Sequence, residues 1–307
     1  MDKLSINFAG IKLKNPVLVS SGTFGYGEDY SKLIDLNRLG GIITKSITEK
    51  PHQGNLPPRL AETPAGLLNA IGLENQGLEH FIREKLPFLR QFKTAIIVNI
   101  AGFSQNEYLR LASSLNRQKG ISALEINLSC PNVREGGIHF GNNPRILKYL
   151  VSKIRSLTRL PLLVKLSPNV SDIVECARLA EKAGANGLSL VNTFLGLAID
   201  PDLRRPKLAN ITGGLSGPAI RPLALQMVWQ VSKHTKLPIL GGGGIMKTED
   251  ALEFFIAGAR AVALGTANFI NPRSSIEIIE GLKTYLARDK LKSIKEIIGS
   301  LKVDVKP

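Results

Sequence analysis

The chain has 307 residues, 43% of them hydrophobic, and sets 40 Lys plus Arg against 25 Asp plus Glu for a formal charge of +15. That length fits one α/β barrel with insertions, and 1–307 reads as a single domain with a sizeable apolar core. Two cysteines, Cys130 and Cys176, exclude a disulfide scaffold and suit a reducing compartment, the cytoplasm; no apolar h-region follows Met1 and no run is long enough to span a membrane.

The basic excess is diffuse, with a denser patch at Arg288, Lys290, Lys292, Lys295, Lys302 and Lys306. It favours anionic partners in general, but without aromatic interleaving or zinc-finger spacing it does not point to nucleic acid.

In chain order, Leu4 to Ile6 and Ile11 to Leu13 flank Asn7-Phe8-Ala9-Gly10, a hairpin able to cap a barrel bottom. Eight short β-rich runs follow: 17–20, 41–44, 95–99, 124–128, 162–166, 187–191, 238–241 and 261–264. Seven are continuously apolar, as parallel strands buried on both faces should be. The fourth is interrupted by Glu125 and Asn127. Amphipathic helices are expected over 143–157, 171–182, 218–234, 248–258 and 273–287, with Asp172 and Glu249 near two of the starts. Eight strand–helix units imply a closed (β/α)8 TIM barrel whose chemistry gathers at the carboxyl ends of the strands. Two connections, 45–77 and 192–217, are long enough to be functional loops overhanging that face.

The candidate chemistry lies at those strand ends. Lys45 and Lys165 close apolar runs, where an ammonium requires an anion or an electron-rich ring unless it snorkels to water. A lysine there suits a reduced flavin, which is negative near N1. Asn69 and Asn75 bracket 70–74 in the first long connection; Asn99 and Asn127 end the third and fourth runs; Asn192 and Thr193 follow the sixth. A single Asn is commonly a turn former, but several amides at one mouth match a ring of alternating carbonyl and N–H groups. Cys130, in Asn127-Leu128-Ser129-Cys130-Pro131-Asn132, reads either as an inert thiol or as a base able to take a carbon-bound proton. His139 gives no firm partner for it, and Cys176 reads as structural.

Near the end, Gly241-Gly242-Gly243-Gly244 and Leu264-Gly265-Thr266, with Gly217 before Pro218, suit close approach of backbone amides to a phosphate, the alternative being plain tight turns. The Rossmann fingerprint is missing, and His52, His80, His139 and His234 have no metal-ligand spacing. The residues alone reach a phosphate-bearing or flavin barrel with a thiol and an amide-rich pocket.

Nearly the whole chain resembles the class 1 dihydroorotate dehydrogenases, specifically the catalytic subunit of the NAD-linked 1B type. The resemblance rests on 55–59 (Asn-Leu-Pro-Pro-Arg), 68–75 (Leu-Asn-Ala-Ile-Gly-Leu-Glu-Asn), 127–133, 136–141 and 212–218. It implies an FMN enzyme that oxidises (S)-dihydroorotate to orotate in de novo pyrimidine synthesis. Cys130 would take the C5 proton while the C6 hydride passes to FMN. Lys45, Asn69, Asn127, Asn192, Thr193 and the backbone of Gly72 and Leu73 would hold the substrate. Ser21, Gly22, Lys45, Ser46, Asn99, Asn127, Lys165 and Val191 match flavin contacts; Gly217, Gly243, Gly244, Gly265 and Thr266 match those around the ribityl phosphate. The resemblance further implies a homodimeric core within a heterotetramer, completed by an electron-transfer subunit that carries FAD and a 2Fe-2S cluster and reduces NAD⁺. No metal site is expected on this chain.

Three rival readings keep part of this evidence. A tRNA-dihydrouridine synthase would use the basic charge, but the segment after the last unit is too short for its RNA-binding domain. A dihydropyrimidine dehydrogenase-like reductase would take an uncharged base. A non-catalytic phosphate-binding barrel would leave the amides and Cys130 without a role.

Overall fold

A computed structural model describes residues 3–128 and 143–303. Eight parallel strands, β1 (Val17–Val19), β2 (Gly41–Ile43), β3 (Ala95–Ile100), β4 (Ala123–Asn127), β5 (Leu162–Lys165), β6 (Gly187–Leu190), β7 (Ile239–Gly241) and β8 (Ala261–Leu264), pair in sequence order. Val262 to Leu264 pair with Val17 to Val19, which closes the barrel. All eight expected strands are present. Their residues are buried almost throughout, because the barrel interior covers one face and the helices the other.

The helices Pro144–Leu157, Ile173–Lys182, Arg221–Ser232, Thr248–Ala257 and Ser274–Arg288 occupy the five expected stretches. Residues 218–220 wind as a separate 3-10 turn, so that helix starts later than its pattern suggests. Asp172 caps its helix, accepting from the amides of Val174 and Glu175 at 2.8 and 3.0 Å. Glu249 lies in the first turn of its helix, but the neighbouring Asp250 makes the bonds: its buried carboxylate accepts from Met246 N and Lys247 N and pairs with Arg221. Asp250 thereby fixes the turn after β7. The pattern had not singled out the helix Gln105–Asn116, capped by Ser104, or the helical segment over 77–89.

The amino-terminal hairpin pairs Ile6–Phe8 with Ile11–Leu13, two residues later in its first strand than expected. The turn is only Ala9-Gly10, both at positive φ (51° and 87°), with Asn7 Oδ1 accepting from Gly10 N at 3.0 Å. Phe8 is therefore a strand residue and is fully buried. A Cβ placed on Gly187, at the amino end of β6, would lie 3.2 Å from Ala9, so the turn sits at the barrel bottom.

The two long connections are not open loops. Leu60–Thr63 and Gly66–Asn69 from the first join Phe194–Leu197 and Thr212–Ser216 from the second in a four-stranded antiparallel sheet. Thr212–Ser216 pairs with Gly66–Asn69, locking one connection to the other. Leu68, Ala70 and Leu208 form a small apolar core there, separate from that of the barrel. Short strands drawn from two distant segments leave no hydrophobic run for a pattern search to find.

Phe254 is fully buried on the helix after β7, and a Cβ on Gly241 would meet its ring at 2.7 Å. Phe254→Ala is expected to lower unfolding free energy by about 3–5 kcal/mol, measured by denaturant titration. A loss below about 1 kcal/mol would show that the ring is not a packing element of the barrel.

Candidate active site

At the carboxyl ends of the strands, the barrel mouth and the sheet above it enclose one large cavity. Seven expected substrate positions, Lys45, Asn69, Gly72, Leu73, Asn127, Asn192 and Thr193, line it together. So do Ser21, Gly22, Ser46, Lys165 and Val191 on the barrel side, and Gly217, Gly243, Gly244, Gly265 and Thr266 toward β7 and β8. Asn99 lines no part of it; it is fully buried behind Ser46, whose hydroxyl donates to its Oδ1. Cys130 and His139 lie outside the described residues.

The polar groups at the mouth are joined into one relay. Thr193 N donates to Asn192 Oδ1 at 2.9 Å, Asn192 Nδ2 to Asn127 Oδ1 at 3.4 Å, and Asn127 Nδ2 to Ser46 Oγ at 3.3 Å. Ser46 Oγ donates to Asn99 Oδ1, and Asn99 Nδ2 donates to Glu125 Oε1 at 2.6 Å. Ser189 Oγ reaches the other oxygen of Glu125 at 2.5 Å. The Tyr108 hydroxyl donates to the Asn127 carbonyl at 2.7 Å and holds the end of β4. Asn99, Glu125, Asn127 and Ser189 are buried, and buried polar groups are costly unless hydrogen-bonded.

Asn69 is turned by its Nδ2, which donates to Gly214 O at 3.0 Å across the roof sheet. Asn75 behaves differently from the other amides. Its Oδ1 accepts from Thr48 N and Gly77 N, and its Nδ2 donates to Thr48 Oγ1 and Leu73 O. It is a clamp on the 72–75 turn, away from the cavity surface. That turn carries Gly72 and Leu73 at positive φ (74° and 60°). A Cβ on Gly72 would meet Asn55 at 2.6 Å, so only glycine fits. Beside it, Glu74 pairs with Arg59 at 2.9 Å and approaches Lys45 at 3.9 Å, leaving both cations at the rim.

The glycine clusters pack backbone on backbone. Gly244, at φ 74°, would meet Gly217 O at 2.7 Å if it bore a Cβ, while Thr266 Oγ1 donates to Ser216 Oγ at 2.8 Å. Gly22 and Gly265 differ from these. A Cβ on Gly22 would find nothing within 4 Å, and one on Gly265 only Ser20 at 3.9 Å. Both backbones face open cavity, the space a ligand lying against them would occupy. Lysines for a flavin ring and bare amides for a phosphate fit FMN in this cavity.

Cys176 is buried on the helix Ile173–Lys182, where burial and then the neighbouring Glu175 push its thiol up to about 11. It lines no part of the cavity. No group of three or more metal-ligating side chains occurs among the described residues, and none of their helices is long and apolar enough to cross a membrane.

Sequence reasoning missed Glu125 and Ser189 as cavity residues, together with Ser216, Glu74 and the apolar roof of Leu60, Leu67 and Ile71. A signal existed for Glu125, a carboxylate between Leu124 and Ile126 in a fully buried strand. The roof residues carried none, since their place depends on the pairing of two loops.

The family model described as "Dihydroorotate dehydrogenase" matches residues 3–286. Among similar curated proteins, the catalytic subunit of dihydroorotate dehydrogenase B (NAD(+)) from Geotalea uraniireducens strain Rf4 is 53% identical over 97% of this chain and 98% of its own. Proteins of the same name from Thermoanaerobacter sp. strain X514 and Bacteroides thetaiotaomicron are 50% and 48% identical, covering 98% and 99% of this chain and 99% and 100% of their own.

Gly265→Val should leave the fold intact, because its side chain enters open space, yet yield protein unable to retain FMN. Flavin absorbance per mole of folded protein measures this, and full retention would remove Gly265 from the cofactor cradle. Cys176 should resist iodoacetamide in native protein at about pH 8 and react only after denaturation. Rapid native alkylation of that residue, read by peptide mass, would contradict its burial.

Proposed function

The chain belongs to the dihydroorotate dehydrogenase family, and from that premise we propose that this cavity oxidises (S)-dihydroorotate to orotate with Cys130 as the base. The observation that carries the reading is the convergence of Asn69, Asn127 and Asn192, from three separate segments, on one cavity. Amides donate and accept, so they complement a planar ring with two carbonyls and ring N–H groups. Lys45 and the backbone amides of the 72–73 turn serve the carboxylate. Arg59 is held beside them through Glu74.

The residues divide the reaction. The thiolate of Cys130 removes the proton at C5, and the amides hold the ring so that the C6 hydride faces the barrel. Bound FMN supplies the acceptor for that hydride. Lys45 and Lys165 favour added negative charge on the flavin ring. Ser21, Gly22, Ser46, Asn127 and Val191 cradle the ring, and Asn99 acts through Ser46. Gly217, Gly243, Gly244, Gly265 and Thr266 surround the phosphate.

Electrons then leave through a second chain. The relatives are named as catalytic subunits of an NAD(+)-linked enzyme, which supports a separate electron-transfer subunit; we infer that this subunit carries FAD and a 2Fe-2S cluster. We place two copies of each chain in a cytoplasmic heterotetramer.

Cys130→Ala is expected to slow anaerobic flavin bleaching by dihydroorotate by about 10²-fold or more, with orotate affinity nearly unchanged. Stopped-flow absorbance and an orotate titration separate the two effects. Bleaching at the wild-type rate would remove the thiol from the mechanism.

A further inference from the structure

The geometry points to Glu125 as a positioning residue that sets which way the substrate-reading amides face. It touches the ring only through others. The inference rests on the reading that Asn127 and Asn192 hold the substrate.

Glu125 is 1% exposed and Asn99 is wholly buried, so neither can exchange its partner for bulk water. A carboxylate can only accept, and it takes Asn99 Nδ2 at 2.6 Å and Ser189 Oγ at 2.5 Å. Asn99 must then turn its Oδ1 upward, so Ser46 donates to it and is left to accept from Asn127 Nδ2 at 3.3 Å. That puts Asn127 Oδ1 opposite Asn192 Nδ2, and Asn192 Oδ1 opposite the amide of Thr193. The relay thus ends in a fixed donor, a backbone N–H, and a fixed acceptor, Glu125. Between them every amide has one orientation that satisfies these contacts. A ring with a set order of carbonyls and N–H groups distinguishes the two faces of an amide, so flipping Asn127 or Asn192 would turn matched contacts into repulsive ones.

Glu125 also lines the cavity floor, but its two oxygens are already engaged from the sides, which suits an orienting role rather than direct ligand contact.

The test is orotate affinity of the FMN-loaded protein, by calorimetry, alongside thermal melting. Glu125→Met keeps the bulk and removes the acceptor, freeing Asn99 to flip; orotate Kd should rise about tenfold or more. The exchange N99D/E125Q reverses donor and acceptor at a single contact. The new carboxamide on β4 would donate to the new carboxylate on β3, and that carboxylate would still accept from Ser46. The carboxamide oxygen would still accept from Ser189. Kd should then lie within about threefold of wild type. A role in packing alone predicts that affinity follows melting temperature across the set.

The inference is overturned if Glu125→Met binds orotate as wild type does, or if N99D/E125Q melts normally yet binds as weakly as Glu125→Met. Should Glu125→Met fail to fold, the exchange variant decides alone. Asn127→Ala isolates the premise: unchanged orotate affinity there would sink the substrate reading itself, whereas a loss there without recovery in the exchange variant sinks only the role of Glu125.

Discussion

A carboxylate sealed from water at the floor of a barrel mouth must be satisfied by donors, and that demand organises everything above it. Glu125 stands on β4 between the apolar Leu124 and Ile126 and is almost wholly shielded from solvent. Its partners come from β3 and β6, so the bonds tie three strands together as well as neutralising the cost of burial. Asn99, Ser46, Asn127 and Asn192 then follow as a chain of obligations. The polar surface offered to a ligand is the outer edge of a network fixed from beneath.

The roof is the second requirement. A mouth lined with amides would be filled by water unless something covered it, and the cover is built from both long connections. Thr212–Ser216 is central to this, pairing on one side with Phe194–Leu197 and on the other with Gly66–Asn69. Through that pairing Asn69 is aimed by Gly214, and Thr193 is confined where a Cβ on Gly214 would lie 2.0 Å from its hydroxyl. The end of the cavity near Asn69 and the glycine-rich end near β8 share this sheet, because Ser216 also meets Thr266.

Much of this was legible in the sequence, for physical reasons that differ from element to element. Apolar runs such as Ile96 to Val98 announce strands buried on both faces, and their regular alternation with helices leaves few topologies but a barrel. Lys45, Lys165 and Asn127 stood out because charge and amides at the ends of such runs conflict with burial. Asn75 looked like its neighbours in sequence, yet its hydrogen bonds turn inward to brace a turn; composition cannot separate an amide that reads a ligand from one that reads backbone. Phe8 seemed a turn residue until the two-residue turn at Ala9-Gly10 claimed it for the strand. The roof sheet was invisible because its central pairing, Gly66–Asn69 with Thr212–Ser216, joins short segments more than a hundred residues apart in the chain.

The central claim is that orotate lies between this roof and the barrel mouth, read by the amides of the relay. A crystal structure of the FMN-loaded protein with orotate tests it most directly. The account predicts ring heteroatoms within hydrogen-bond distance, about 3 Å, of Asn69, Asn127 and Asn192. Orotate bound elsewhere, or a ring whose polar atoms pair with none of these side chains, would contradict it.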